Sequence, residues 1–270
     1  MASRFYATVT GLCMTQSGLA RGSRTAGTNC TMYAMKTSVK SLALTATAAL
    51  LLASPAASQV DHDGALWEMW LGQGSFESLH PDWKNVRWWL DVQARWRDEG
   101  EDLDGTFVRP GLGYALTDRV TVFAGYALIT TFPAGTPDRT ENRVWQQLTW
   151  NVPVDGAYQL QFRSRLEQRF VEGTEDTGWR FRQLAKYTRP ASADGRRYLS
   201  LIDEVFYDLN DTDFGQNGGL RQNRLFAGLG WFLDEARTIA FEGGYLNQWI
   251  SRPGDDRMNH ALSLNLLVNF

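Results

Sequence analysis

Cysteine is nearly missing: the 270 residues hold two, Cys13 and Cys30. Both precede the export signal described below, so the segment that follows it has none. A thiolate nucleophile, a cysteine-ligated zinc centre and a disulfide framework are excluded there. Histidine is scarce too, limited to His62, His80 and His260. Beyond the signal, no apolar run approaches the roughly 20 consecutive residues of a membrane-spanning helix, and mean hydropathy is −0.34. A helical membrane protein is therefore excluded, and no later stretch has the pattern of an amphipathic helix. Aromatic residues and glycine are plentiful instead, with 11 Trp, 14 Phe and 25 Gly. Soluble domains rarely carry so much tryptophan, whereas membrane barrels place aromatic girdles at both interfaces.

Met35-Lys36-Thr37-Ser38-Val39-Lys40 opens a short basic stretch. The apolar segment Ser41–Ala53 follows, and Ser54-Pro55-Ala56-Ala57-Ser58-Gln59 supplies small residues. Basic, apolar and small-residue regions in that order read as a secretory signal over 35–58. We place the cut after Ser58, with Ala57 as the neighbouring alternative. The apolar segment is too short to anchor in a bilayer, and no stop-transfer charges follow it. Residues 1–34 lie upstream of a complete signal. They read as an extension from a start assigned too early, with Met35 as initiator, or as a long leader. The mature domain, 59–270, is the same in both cases. Cleavage removes Arg4, Arg21, Arg24, Lys36 and Lys40 and no acid, taking the net charge from −3 to −8. Nucleic-acid binding, which calls for a basic surface, is not expected.

The rest of the chain alternates with period two. In Val86–Arg97 one face carries Val86, Trp88, Leu90, Val92, Ala94 and Trp96. The other carries Arg87, Trp89, Asp91, Gln93, Arg95 and Arg97. Ala157–Phe170 repeats the scheme, with Leu160, Phe162 and Leu166 opposite Arg163, Arg165, Glu167 and Arg169. Further strands are predicted at Gly64–Gln73, Gly105–Leu116, Arg119–Thr130, Glu141–Val152 and Thr177–Arg189. The series continues at Arg197–Leu209, Leu220–Leu233, Arg237–Ile250 and Met258–Phe270. Most run 10 to 14 residues. Strands of soluble proteins average about 5–6, while a tilted membrane strand needs about 9–11.

Short links such as 116–119 alternate with longer ones at 131–140, 171–176, 210–219 and 251–257, the layout of periplasmic turns and external loops. In the last strand Leu262, Leu264, Leu266, Val268 and Phe270 share a face, and the chain stops on that Phe. Such an ending resembles the insertion signal that outer-membrane barrels present to their assembly machinery. The expected fold is all-β: an antiparallel transmembrane β-barrel of 10–12 strands in the outer membrane, with Phe270 at the periplasmic rim. Eleven segments are counted, yet single-chain bacterial barrels have even strand numbers. Gly64–Gln73 is thus the odd one, either an extra element or one with a hidden partner.

Leu201-Ile202-Asp203-Glu204-Val205-Phe206-Tyr207-Asp208, Asn223-Arg224-Leu225-Phe226-Ala227-Gly228-Leu229, Gly244-Tyr245-Leu246-Asn247-Gln248 and Asn259-His260-Ala261-Leu262-Ser263-Leu264 together carry a resemblance. Glu141-Asn142-Arg143 and Trp179-Arg180-Phe181-Arg182 add to it. Over 63–270 the chain resembles the family called domain of unknown function 2490. The resemblance implies a bacterial outer-membrane barrel and supplies no catalytic residue.

With the apolar faces turned to lipid, Arg87, Asp91, Arg95, Arg97, Arg109, Arg143, Arg163, Arg165, Glu167, Arg169, Arg180, Arg182, Lys186, Arg224 and Glu242 fall on the lumen side. Arg or Lys facing lipid at the midplane costs about 2–4 kcal/mol, so a barrel must put them there. Two readings follow: a lumen packed by ion pairs, or a basic channel that attracts and passes anions and other small solutes. The acids are expected to gather in loops, as in Asp98–Asp104. Asp203 and Glu204 are adjacent, so strand geometry sends them to opposite faces; a lumenal Glu204 paired to an arginine is preferred.

A lipid- or lipopolysaccharide-modifying enzyme is the alternative, but it needs a Ser–His pair. Ser263 lies three residues from His260 and so on the opposite face, leaving no local pair and no expected catalytic residue. Asp211-Thr212-Asp213-Phe214-Gly215 lacks the remainder of a calcium loop. Gly111-Leu112-Gly113 and Gly228-Leu229-Gly230 lack the strand-to-helix setting of phosphate loops, and more simply make room for bulky neighbours such as Phe123 and Phe226. No metal or cofactor is expected. The expected partners are outer-membrane lipids, lipopolysaccharide and the barrel-assembly machinery.

Overall fold

The computed structural model describes residues 60–154 and 158–270. The expected upstream extension, signal segment and cleavage point lie outside the described residues. The first four strands are β1 (Val60–Ser75), β2 (Val86–Arg97), β3 (Asp102–Ala115) and β4 (Val120–Thr131). Next come β5 (Arg139–Val152), β6 (Gln159–Val171), β7 (Thr177–Pro190) and β8 (Arg197–Asp208). The series ends with β9 (Gly219–Phe232), β10 (Ile239–Ile250) and β11 (Asp256–Asn269). The only helical turns among the described residues are single 3-10 turns at Pro81–Trp83 and Asp98–Gly100. Period-two alternation accounts for this directly. Trp89, Asp91 and Arg95 are buried on one side of β2, and Val92 is exposed on the other.

The eleven strands close into one barrel. Sequence neighbours pair antiparallel, and β1 closes against β11 in parallel, from Val60 opposite Asp256 to Gln73 opposite Asn269. Eleven falls within the expected 10–12, and the correction is to Gly64–Gln73 as the odd element and to a ladder that is antiparallel throughout. β1 is a full wall strand, paired to β2 on its other edge. The reason is geometric. After ten reversals of direction the eleventh strand runs the same way as the first, so closure has to be a parallel ladder. At that seam the chain end is held by two backbone bonds, Ser75 N–H to Phe270 O at 2.8 Å and Phe270 N–H to Gln73 O at 3.0 Å. Val60 and Phe270 therefore lie at opposite rims.

We call the rim with Phe270 the turn rim and the other the loop rim. The links differ in length from expectation. The β1–β2 link, 76–85, is long although it lies on the turn rim, and the β2–β3 link on the loop rim is short. Of the acidic loop expected at 98–104, only 98–101 lies between strands, since β3 begins at Asp102. Arg97 draws these acids in, lying 3.5 Å from Asp98, 3.6 Å from Asp102 and 3.3 Å from Asp104.

The turn half of the lumen is filled by aromatic side chains. Trp89 meets Phe123 edge-on at 5.5 Å and Trp145 at 6.4 Å between ring centroids. Tyr198 packs on Phe232 at 5.0 Å. Leu71 touches both groups and joins them across the barrel. Two glycines make this possible by close approach: a Cβ at Gly125 would overlap the Trp145 indole, and one at Gly230 would overlap the Tyr198 ring.

The parallel seam is testable. Leu66 and Leu262 face each other across it on the outer side. In a Leu66→Cys, Leu262→Cys variant, a short bismaleimide is expected to form an intramolecular cross-link in the folded protein. A barrel closed between β2 and β11, without β1, would give none.

Candidate functional site

Along one face of a strand, residues of equal parity repeat, so each wall strand aims every second side chain inward. β5 to β8 carry charges at those positions, and adjacent strands bring arginine beside carboxylate on the diagonal. The result is a chain of buried ion pairs. Arg169 donates to Glu141 through Nε (2.6 Å) and Nη2 (3.0 Å). Arg143 donates to the same carboxylate through Nε at 2.7 Å and to Glu167 through Nη1 at 2.8 Å. Arg182 continues the chain, giving Nη1 to Glu167 at 2.6 Å and Nη2 to Glu204 at 2.7 Å. Arg163 ends it on Glu204 at 2.8 Å. Side branches pair Arg109 with Asp91 at 3.1 Å and Arg180 with Asp208 at 2.6 Å. Nearer the turn rim, Lys186 Nζ (2.5 Å) and the Tyr198 hydroxyl (2.9 Å) both donate to Glu242.

Two arginines are held by neutral partners and aromatic faces. Arg165 gives Nε (2.8 Å) and Nη2 (2.5 Å) to Gln147 and lies 4.5 Å over Trp145. Arg95 is sandwiched between Trp67 at 3.9 Å and Phe107 at 4.0 Å, with one bond to Gln93. Arg224 sits 4.4 Å over Phe206 and 3.9 Å from Glu204. Arg87 is on the inner face but near the turn rim, half-buried and without an ion pair among the described residues.

Sequence parity missed several members. Glu141 anchors two arginines, Asp208 pairs with Arg180, and Gln147 holds Arg165. The signal was present, because Glu141 shares parity with Arg143 and Asp208 with Glu204. Gln216 had no such signal. It belongs to the 209–218 loop, which folds over the mouth. There it accepts from Arg169 at 2.8 Å and donates to the carbonyls of Trp179 (3.2 Å) and Asn210 (3.1 Å).

Above the aromatic floor the lumen opens into a cavity of about 340 Å³ in the loop half. Its wall carries ten arginines and two carboxylates, Asp104 and Glu141. A second cavity of about 170 Å³ lies under the loop at Phe214–Gln216. The described residues contain no cluster of three or more metal-ligating side chains. Asp211 and Asp213 instead accept loop amides, from Gly218 at 2.7 Å and Glu175 at 2.9 Å.

The outer face is apolar with a few paired polar groups. Asp203 faces out and accepts from Asn223 at 2.6 Å, and Ser164 donates to Gln183 at 2.6 Å. Glu68 accepts from the Trp96 indole at 3.1 Å. His260 is also on this side. It shares hydrogen bonds with His62 across the seam (2.8 Å) and with the Tyr245 hydroxyl (2.6 Å). Ser263 is buried on the inner face and bonded to Asn265. No serine or carboxylate hydrogen-bonds His260 among the described residues.

The chain is similar to an uncharacterised protein of Methylorubrum extorquens (strain AM1), at 30% identity over 232 residues. The match covers 85% of this chain and 96% of that protein. No solved structure shows significant similarity. Residues 64–259, nearly the whole barrel, match the family described as Protein of unknown function (DUF2490). On that match and the relative's identity along most of both lengths, this eleven-stranded, arginine-lined barrel belongs to the DUF2490 family.

Proposed function

We propose that the protein is an outer-membrane barrel whose lumen is a cross-braced, filled interior rather than an open pore. The observation that carries this is the combination of a continuous buried ion-pair chain with an aromatic floor, inside a wall whose outer face is apolar. Closure of the sheet suits a bilayer, because it leaves no unpaired backbone edge for hydrocarbon to face. Leu112, Leu128, Leu148, Leu229 and Leu262 are exposed on the outer face, where lipid would cover them. The outward polar groups satisfy one another in pairs, which lowers the cost of immersion. In this reading the signal at 35–58 exports the chain and the assembly machinery takes up the last strand. Phe270 then sits at the periplasmic rim, the long loops face lipopolysaccharide, and Val60 emerges on the cell-surface side.

Barrels of about eight strands are filled by side chains and those of about sixteen leave a channel. Eleven strands fall between, and here the arginines and tryptophans occupy the added space. Three measurements test the reading. The folded protein is expected to fractionate with the outer membrane and to migrate as a heat-modifiable band in mild-detergent gels. In planar bilayers it is expected to give no stable conductance step. A reproducible ohmic step would overturn the filled lumen, and loss from the membrane fraction would overturn the membrane assignment. The reading includes no catalytic step.

A further inference from the structure

The loop-half cavity has more positive charge than its wall needs for bracing. Seven of its ten arginines meet a carboxylate on the wall or just behind it, at Glu141, Glu167, Glu204, Asp208, Asp91 or Asp63. Arg95, Arg139 and Arg252 do not: none of them has a carboxylate at ion-pair distance among the described residues. Arg139 leans on Phe214, 5.4 Å above the ring, and donates to that residue's carbonyl at 3.4 Å. Arg95 is 8% exposed, and its Nε has no hydrogen-bond partner; nor has the Nε of Arg109, which is 3% exposed. A buried guanidinium N–H left unpaired is costly. The protein tolerates this at two positions on one cavity.

We infer that this cavity is a binding site for a compact, phosphoryl-bearing anion of two or more negative charges. Three uncompensated cations facing one chamber call for a multivalent ligand. The planar guanidinium fork matches pairs of phosphoryl oxygens, so a wall whose cations are all arginines suits this chemistry better than point-charge lysines would. At about 340 Å³ the chamber is near the lower end of small-molecule pockets, about 300–1,000 Å³. It admits a diphosphate or a small phosphomonoester and excludes a polymer. Trp67 and Phe107 hold Arg95 flat between them, so its donor edge is preorganised and loses little freedom on binding. Below, the aromatic floor ends the chamber, which makes it a dead-end site. Entry from outside the cell through the loop rim rests on the filled-barrel reading above; binding does not.

The phosphoryl group can belong to a free solute or to a lipid headgroup at the rim, and the experiment separates the two. Sodium pyrophosphate is titrated into the full mature protein in non-ionic detergent at low ionic strength, with calorimetry and tryptophan fluorescence as readouts. Saturable binding with one equivalent is expected, with a fluorescence change from Trp67. Arg95→Gln and Arg252→Gln, made separately, are each expected to weaken it by about tenfold or more, in line with the loss of a charge-assisted bond. Arg196→Gln, on the exposed turn rim, is expected to leave it unchanged. Where Arg95→Gln gives no heat-modifiable band, the rim variant Arg252→Gln carries the test.

Diphosphorylated lipid A is then added to the micelles. Displacement of pyrophosphate supports the site with a lipid as the source of the group, and undisturbed binding supports it with a solute as the source. No saturable binding by a protein that shows the folded band overturns the inference and leaves the barrel reading standing. Unchanged affinity in both variants, or tighter binding of citrate than of pyrophosphate, overturns it as well. A conductance step in a protein that binds pyrophosphate would instead remove the filled lumen and leave the site.

Discussion

Glu167→Gln is expected to lower the stability of the barrel by about 3–5 kcal/mol, the cost of breaking a buried ion pair from one side. Glu167 is 1% exposed and accepts from Arg143 at 2.8 Å and Arg182 at 2.6 Å, with Arg165 3.8 Å away. The substitution keeps the shape and removes the charge, so three guanidinium groups are left facing each other in a low-dielectric interior. Several features raise the stakes. The same two arginines also serve Glu141 and Glu204, so the loss propagates along the chain of pairs. Glu167 is itself buried behind its arginines, so water has little access to the place of its carboxylate. The measurement is urea unfolding in detergent or vesicles, followed by the heat-modifiable band. The midpoint should fall while the slope, which reports exposed surface, stays constant. A contrasting substitution calibrates the result. Arg196 lies 3.8 Å from Glu235 on the exposed turn rim, and a surface pair of that kind is worth about 0–1 kcal/mol. If Glu167→Gln and Arg196→Gln shifted the midpoint equally, the buried chain would not be the brace described above.

Gly230→Ala should be a damaging single-methyl change in the wall, with its cause confined to one side chain. The added Cβ would overlap the Tyr198 ring, which is buried and bonded to Glu242 at 2.9 Å. The ring cannot step aside without giving up that bond or its packing on Phe232, and overpacking of this kind costs about 1–3 kcal/mol. The cause can be isolated with a double-mutant cycle. In a Tyr198→Leu background the cost of Gly230→Ala should fall to near zero, giving a coupling within the range of about 0.5–3 kcal/mol seen for residues in contact. Additive effects would mean that the glycine serves the backbone and not the tyrosine. Gly125 is less clean as a probe, because its Cβ would meet the backbone oxygen of Pro110 as well as Trp145, and no side-chain deletion relieves a backbone clash.

The expected strands at Val86–Arg97 and Thr177–Arg189 coincide with β2 and β7 to within one residue. Both carry uninterrupted alternation, and alternation is a local property that needs no partner to be read. Boundaries drifted where polar residues continue the strand past its apolar stretch. Thus β1 starts at Val60 rather than Gly64, and Asp102 and Asp104 enter β3 instead of forming a loop with Asp98. Those aspartates pair with an arginine near the rim, a long-range choice that composition conceals.

The inner face of each strand, and hence the arginine content of the lumen, was settled by residue order, because side chains on a strand repeat every two residues whatever the strand pairs with. So was the apolar outer face, along with the need to hide charge from it. The partner of each arginine was not. It depends on register between strands distant in the chain, as when Arg163 reaches Glu204, and register follows from the closure of the whole sheet. The same closure turned the unpaired first segment into a wall strand, made the seam parallel, and sent the two ends of the barrel to opposite rims. It also separated an aromatic floor from an arginine-lined chamber, since height along a tilted barrel is shared by residues from strands that the sequence never brings together.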